Sequence, residues 1–547
     1  MKLQVVCPLV AAILHLGQQL WAATPPAGPT GLKVIPGIDT VLAEDRVAAW
    51  SPGVPGGIPI YPEGVNVKNA PYNAVGNGIA DDYSAITNAI AKCANGKAVF
   101  FPAGTYLVSK QIKIENKSIV LRGAGASSTR LLLTDTNTTD GANIYFRGYS
   151  GNKTPLLGGY DEGSTKVTLA STAAFNIGDD VKVEQDNDPE VIEGNIPGGI
   201  VGGAARYQAQ FNQVIAKTTT SLTLKRPLFC KYKASMNPVI QNMYLLARCG
   251  IENMYLDQRG KRDTTVLMFQ SRHCWASGIE STNANWTHVG LDTSFGCELR
   301  NSFLHHAKTY GQGGYGVGIA RSTDCLVEDN ILYYLRHSVV IQNGAAGNVI
   351  AYNYSHRAFD KAYPNTDYLM SDIEHHGGHP HKNLVEGNVC VKLTLDNYWG
   401  SSRHNTLFRN HVERYSQGLT KIVQYSVWAI QIDRAQLSHN VLGNILCRPN
   451  DQGQVVSLGG GEWKEAYDTR VTNTMVFHGN FDYVSRTTQW DPRVPSRNLP
   501  PSLYLTEKPA FFGSLAWPAF GPGATDTTPV HGTIPARQRW IARFGNP

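Results

Sequence analysis

Beyond residue 249 the chain repeats short apolar runs at a spacing that suits neither an amphipathic helix nor a simple meander. The runs Cys325-Leu-Val-Glu-Asp-Asn330, Asn348-Val-Ile-Ala-Tyr-Asn353, Asn383-Leu-Val-Glu-Gly-Asn388 and Asn405-Thr-Leu-Phe-Arg-Asn410 open on Cys or Asn and close five residues later at an anchor. Anchors read in this way fall at Met254, Ile279, Ser302, Asn330, Asn353, Asn388, Asn410 and Asn440. Their spacings of 25, 23, 28, 23, 35, 22 and 30 residues suggest a base turn of 22–25 with insertions in three turns. Repeated strands without helices at this period predict a solenoid, in which each turn buries its apolar edge against its neighbours. The expected fold is all-β, a right-handed parallel β-helix.

The N-terminal part adds a cap and first coils. Asp82 or Ser84 can cap a short helix whose Ile86, Ala89, Ile90 and Cys93 lie at i, i+3, i+4 and i+7, fit to close the open end of a solenoid. Ala98–Ser109 and Ser118–Gly125 read as strands ending at glycine turns. The segments Gly76-Asn-Gly-Ile-Ala-Asp-Asp82, Phe101-Pro-Ala-Gly-Thr-Tyr106 and Leu121-Arg-Gly-Ala-Gly125 resemble the cap and first coils of the pectate-lyase-like superfamily that includes rhamnogalacturonase and epimerase-type proteins. The resemblance covers about residues 60–135, and the Asn-bearing coils extend it to about 480. It implies a scaffold shared by lyases, glycoside hydrolases, epimerases and phage depolymerases, and gives the Gly76–Asp82 motif a shaping rather than a catalytic role.

The expected organisation is a secretory leader at 1–23, a Pro/Gly-rich segment at 24–60, a β-helix over 61–484 with a β-rich insertion near 150–245, and a C-terminal strap or cap at 485–547. The leader implies a secreted or periplasmic protein with no membrane segment once it is removed. The 54 Gly and 29 Pro punctuate short strands. A net charge of +6 is too small and too dispersed for a nucleic-acid protein, but suits a polyanionic sugar. Of nine cysteines, Cys249, Cys297 and Cys325 precede anchors by five residues, so stacked, mostly unbridged thiols are expected. Five Asn-X-Ser/Thr sequons, at Asn116, Asn137, Asn152, Asn285 and Asn353, matter only in a eukaryotic secretory pathway.

Candidate chemistry gathers between residues 302 and 414. Four residues past successive anchors stand His306, Tyr334, Arg357, Lys392 and Arg414, and two further on stand Lys308 and Arg336. These read as a cationic ladder for carboxylated sugars or as a solvated outer face. The longest insertion holds Asp360 and the run Ser371-Asp-Ile-Glu-His-His-Gly-Gly-His-Pro-His381. Its Asp372, Glu374, His375, His376, His379 and His381 suit acid–base work or sugar contact, a transition metal, or a hydrogen-bonded structural loop; the spacing matches no compact zinc motif. Tyr310–Gly318 reads as a flexible aromatic loop, Tyr333, Tyr334, Arg336 and His337 as platforms with donors, and Asp396, Trp399, Arg403 and His404 as a sugar-stacking group.

The expected function is cleavage of an extended uronate-containing polysaccharide by β-elimination. Arg336, His337 and His376 are central, with Asp372 and Glu374 orienting or catalytic. Sugar contacts are expected from His306, Lys308, Tyr333, Tyr334, Arg357, His379, Lys392, Asp396, Trp399 and His404. Paired carboxylates leave glycoside hydrolysis open, and the fold also admits a noncatalytic glycan-binding or adhesive solenoid. The protein is expected to be a monomer. No metal site is assigned; Ca²⁺ bridging substrate carboxylates is the one cofactor left open, without a clear acidic cluster to hold it.

Overall fold

The computed structural model describes residues 41–138, 141–194, 205–361, 369–414, 428–460 and 466–545. The expected leader, residues 24–40 of the Pro/Gly-rich segment and the Gly-rich loop 195–204 lie outside these residues. The chain forms a right-handed parallel β-helix with three long faces. Sheet 1 has twelve strands, from Glu63–Asn66 to Val476–His478; sheet 2 has thirteen, from Asn77–Asp81 to Thr487–Gln489; sheet 3 has ten, from Ile112–Ile114 to Val456–Leu458. One coil shows the order: Leu326–Glu328 in sheet 1, Ile331–Leu335 in sheet 2 and His337–Gln342 in sheet 3, after which Val349–Ala351 returns to sheet 1.

Register keeps like residues over like. Val327 pairs with Ile350, Ile350 with Val385, and Val385 with Leu407, and all four lie inside the coil with at most 1% of their surface exposed. Each buried aliphatic side chain contributes on the order of 1.5–3 kcal/mol, so the interior stacks supply the cohesion that a two-layer core supplies elsewhere.

The turn from sheet 1 to sheet 2 explains the Asn anchors. A residue in the left-handed region makes the corner, among them Asp329 (φ 57°), Tyr352 (φ 56°) and Arg409 (φ 50°), and the backbone N–H that follows needs a partner inside the coil. The next coil's Asn supplies it. Asn330, Asn353, Asn388, Asn410 and Asn444 each donate their backbone N–H to the Oδ1 of the Asn one coil on, at 3.0, 2.9, 3.0, 2.9 and 3.0 Å, ending on Asn480. The expected anchor at Asn440 is therefore corrected to Asn444. Asn440 instead begins a sheet 1 strand opposite Thr406, because the long preceding insertion displaced the count. Asn353, a nominal glycosylation sequon, is wholly buried in this ladder.

A second ladder runs where chains enter sheet 1. Cys249 and Cys274 donate backbone N–H to the thiols of Cys274 and Cys297 at 3.4 Å, and Cys325, Asn348 and Asn383 continue it into Asn348, Asn383 and Asn405. The eight described cysteines are all free of disulfides. The position selects a small side chain that accepts one N–H, which a thiol or an amide provides.

Helix Tyr83–Lys92 closes the N-terminal end and buries Ile86, Ala89 and Ile90. Asp82 makes no side-chain bond to the helix; its carboxylate takes the N–H groups of Val75 (2.6 Å) and Gly76 (3.0 Å) and so ties the preceding turn. Between Tyr149 and Tyr244 six antiparallel strands form a separate sheet, with Val181, Val183, Leu222 and Ile240 in its own small core. It packs on the solenoid through Phe211, which stacks on Phe295 at 6.0 Å.

The terminal segments cover two of the three faces. Trp50, Leu503, Tyr504 and Phe520 pack with Leu326, Val349, Leu384 and Phe408 over sheet 1. The last helix, Pro535–Phe544, lays Trp540 on Tyr333 of sheet 2 at 4.6 Å and pins Arg539 to Asp329 and Arg543 to Glu280. Sheet 3 keeps Asp292, Gly318, Gln342 and His376 partly exposed on its outer side.

Replacing Asn388 by Ala strands the N–H of Asn353 and the carbonyl of Ile350, to which its Nδ2 donates at 2.9 Å. Two buried groups left unpaired cost about 2–4 kcal/mol, so the urea midpoint falls clearly below that of the native protein. An unchanged midpoint would show that the amide ladder does not hold the coils.

Candidate functional site

Strands of sheet 3 begin with an irregularity that decides which side chains face out. Ser338 and Val339 both donate backbone N–H to the carbonyl of Asp372, so two consecutive residues turn inward before alternation resumes. His337, Val340 and Gln342 then face outward while Ser338, Val339 and Ile341 face the interior, and the next coil repeats this with Asp372 and Ile373 inside and Glu374 outside. Asp372, expected at the site, is corrected to an interior residue. Its carboxylate accepts a bond from Ser355 and the N–H groups of Val391 (2.8 Å) and Lys392 (3.0 Å), and burial pushes it up to about 6. His375 also points inward, in line with Ile341 and Leu395, and burial holds it down to about 3.

Four residues remain together on the outer face of consecutive coils. The Nδ1 of His337 lies 2.7 Å from Glu374 Oε2 and 2.8 Å from the carbonyl oxygen of Ser371. With its Nδ1–H donated to the Ser371 carbonyl, the neutral ring carries its lone pair on Nε2. One coil away, His376 Nδ1 is 2.6 Å from Asp396 Oδ2. Ligand atoms of Glu374, His376 and Asp396 all lie within 4.8 Å of one another. Burial opposes the His376 cation, but the carboxylates of Asp396 and Glu374 outweigh it and raise the imidazole to about 9. The two carboxyl groups diverge. Burial and Glu374 raise Asp396 to about 6 despite His376, whereas His337 and His376 overcome burial and pull Glu374 well below the carboxylate range.

Aromatic and cationic groups frame this core. Tyr315, one coil before His337 and in register with it, lies 5.4 Å away ring to ring, and burial with Glu374 raises its phenol to about 12. Tyr398 stacks on His376 at 6.0 Å and joins Trp399, 4.8 Å from it, to the site. Arg336, which precedes His337 in the chain, donates to the Tyr310 carbonyl at 2.8 Å and, with Lys308, Tyr310, Gly311, Asp360 and Lys361, lines an open cleft of about 480 Å³. The Tyr310–Gly318 segment, expected as a flexible loop, is half strand: Tyr315–Ala320 is a strand of sheet 3 whose Gly318 leaves the outer face flat. The sequence drew attention to the segments that carry Tyr315, Lys361 and Tyr398 but gave these three residues no role of their own.

The remaining expected contacts lie elsewhere. His306, Tyr334, Arg357 and Arg414 do occupy one corner, with φ of 55°, 55°, 63° and 62°, but they do not form a cationic ladder. Burial and the neighbouring His305 hold His306 down to about 4, and Arg357 is turned to the hydroxyl of Tyr333 at 2.9 Å. Tyr333 itself lies under Trp540, so it is no open platform. Lys392 is 3% exposed, with its ammonium 5.8 Å above Trp428. His379 is buried against His381, and His404 is held to about 3 by burial and Lys382, both away from the outer face.

A hard, oxygen-seeking ion such as Ca²⁺ does not suit the Glu374–His376–Asp396 trio. One of its three donors is an imidazole that holds a proton at neutral pH, and both carboxylates are already engaged by histidines.

His376 titrates above the ordinary histidine value of about 6.5, so its contribution to stability is complete below that pH and is lost as pH rises through about 9. The native protein accordingly loses unfolding free energy between these limits, and His376→Gln removes that loss. NMR titration of His376 near or below 6.5 would contradict the pairing with Asp396.

Comparison with known proteins agrees with this architecture. Residues 64–171 match the family described as rhamnogalacturonase A/epimerase, pectate lyase-like. A 129-residue stretch is 33% identical to plasmin and fibronectin-binding protein A of Streptococcus pneumoniae, covering 20% of this chain and 18% of that protein, so the chain spans under a fifth of that relative's length. Among solved structures, the tailspike gp61 of Pseudomonas phage phi297 superposes with a TM-score of 0.54 at 13% identity, over 72% of this chain and 71% of that one. The tailspike gp49 of Pseudomonas phage LKA1 gives 0.52 at 14% identity, over 70% and 64%. With a cap and first coils that match in sequence over residues 64–171 and a three-faced solenoid behind them, the chain is similar to the pectate-lyase-like parallel β-helix proteins.

Proposed function

We propose that the protein binds an extended uronate-containing polysaccharide along the outer face of sheet 3 and cleaves it by β-elimination. The observation that carries this reading is the pair of imidazole–carboxylate dyads on adjacent coils, His337–Glu374 and His376–Asp396, with the cleft-lining Arg336 next to His337 in the chain. Nε2 of His337 takes the C5 proton of a uronate ring. The electron pair becomes the C4–C5 double bond as the C4–O bond breaks, and the Tyr315 hydroxyl returns a proton to the departing oxygen. The His376 cation and the Arg336 guanidinium neutralise the sugar carboxylate as charge develops on it. His337 is only 5% exposed, and this reading requires the sugar ring to approach it past Arg336, the preceding residue, which lines the cleft. The family match supports a carbohydrate ligand.

Hydrolysis is the second reading, favoured by one observation. Glu374 and Asp396 are close carboxyl groups whose proton affinities are driven apart, as an acid and a nucleophile require.

Incubation with a panel of uronic-acid and neutral polysaccharides separates the readings. Elimination yields both new reducing ends and the near-ultraviolet absorbance of an unsaturated uronate. Reducing ends alone transfer the chemistry to Glu374 and Asp396, and binding without products leaves a glycan-binding solenoid. His337→Ala and Arg336→Ala should each lower kcat/KM by about 10²-fold or more; turnover within about threefold of native, under roughly 1 kcal/mol of barrier, would reject the assignment.

A further inference from the structure

Three residues past His376, the chain passes through Gly377 and Gly378 into His379-Pro-His381, which leaves the outer face and enters the turn toward sheet 1. There His381 makes parallel contacts with Ala346 and Arg403 of neighbouring coils. His379 and His381 are each 2% exposed, and their rings stack with centroids 4.4 Å apart. Both ring nitrogens of His379 and the Nε2 of His381 are sealed from solvent without a hydrogen-bond partner. That is a cost which packing alone does not offset. The Nδ1–H of His381 donates to the carbonyl of His379 at 3.0 Å, which fixes the lone pair on Nε2. Metal-binding imidazoles are oriented by this kind of bond.

Cys230 meets them from the other side, carried by the connection between strands Ser221–Leu224 and Val239–Tyr244 of the inserted sheet. Its sulfur and one nitrogen from each imidazole lie within 4.8 Å of one another. Beside them the ammonium of Lys382 is paired with Glu162 at 2.5 Å, so that cation is already balanced. We propose that Cys230, His379 and His381 form a binding site for a zinc-type divalent transition metal, which clips the 149–244 sheet to the coil that carries His376. A thiolate with two neutral imidazoles is a borderline-soft donor set that selects such an ion over Ca²⁺ or Mg²⁺, and three protein ligands leave the fourth tetrahedral position to water. Burial keeps both histidines unprotonated at neutral pH, His381 being held down to about 4. The thiol, raised by burial to about 12, yields its proton to solvent as the metal–sulfur bond forms. Side-chain rotation draws the three ligand atoms onto the ion. The glycine strap between His376 and His379 is then held from its far end, and Tyr207 of the inserted segment packs directly on Gly378.

Titrating chelator-treated, full-length protein with Co²⁺ tests the site. One equivalent should bind with tetrahedral visible bands and a thiolate-to-cobalt charge-transfer band, and Zn²⁺ should displace it. Cys230→Ser should abolish the charge-transfer band and weaken binding by about tenfold or more, His379→Gln should weaken it similarly, and His376→Gln should leave the band intact. Absence of stoichiometric binding, or binding without a charge-transfer band, overturns the proposal, as does a band that survives Cys230→Ser. Should Cys230→Ser fail to fold, by circular dichroism, the native spectrum and His379→Gln decide.

Discussion

A backbone N–H that each coil turns inward at the corner between sheets 1 and 2 governs the whole molecule. Once the corner residue adopts the left-handed conformation, that donor faces the interior, where no strand can pair it. The side-chain amide of the next coil does so, and its own Nδ2 is satisfied by a carbonyl below, as when Asn410 donates to Val385 at 2.9 Å. Each bond fixes one coil over another, at the strand spacing of about 4.8 Å. The register that results stacks aliphatic residues inside and equivalent outward positions in columns. The parallel ladder of thiols and amides at the entry to sheet 1 does the same work on a second corner.

Columns at this spacing make the outer faces different in kind. Sheets 1 and 2 carry apolar and aromatic columns that the terminal segments cover, so they are spent on stability. Sheet 3 carries imidazole and carboxylate in alternation, close enough that each charge is set by its neighbour. His376 keeps its proton because Asp396 and Glu374 flank it, and Glu374 loses its proton because two histidines do. A cationic imidazole and two carboxyl groups of unlike proton affinity therefore arise from neighbouring outward positions. The inserted sheet meets the same coil at Gly378, within two residues of His376.

The sequence revealed whatever depended on local repetition. Asn330, Asn353, Asn388 and Asn410 marked the coils because the amide requirement recurs every turn, and the cap helix followed from its apolar spacing. It also placed His337, Glu374, His376 and Asp396 among the candidates, since polar residues gather on the coils they occupy. It could not sort Asp372 from Glu374 or His375 from His376. A strict alternation would set Asp372 and Glu374 on the same side, and the inward turn of two consecutive residues at the strand start separates them. Tyr333 and His379 misled for another reason. Their surroundings are decided by Trp540 and by the 149–244 sheet, segments distant in the chain whose docking leaves no periodic trace.

The account rests on sheet 3 as the face that meets the sugar. A crystal structure of the His337→Ala variant with a bound uronate oligosaccharide tests this most directly. The account predicts a chain of sugar rings lying across the strands that carry Tyr315, Glu374 and Asp396, with one ring carboxylate in hydrogen-bond reach of both Arg336 and His376. An oligosaccharide seated on sheet 1, on sheet 2 or on the inserted sheet, with these side chains untouched, would contradict it.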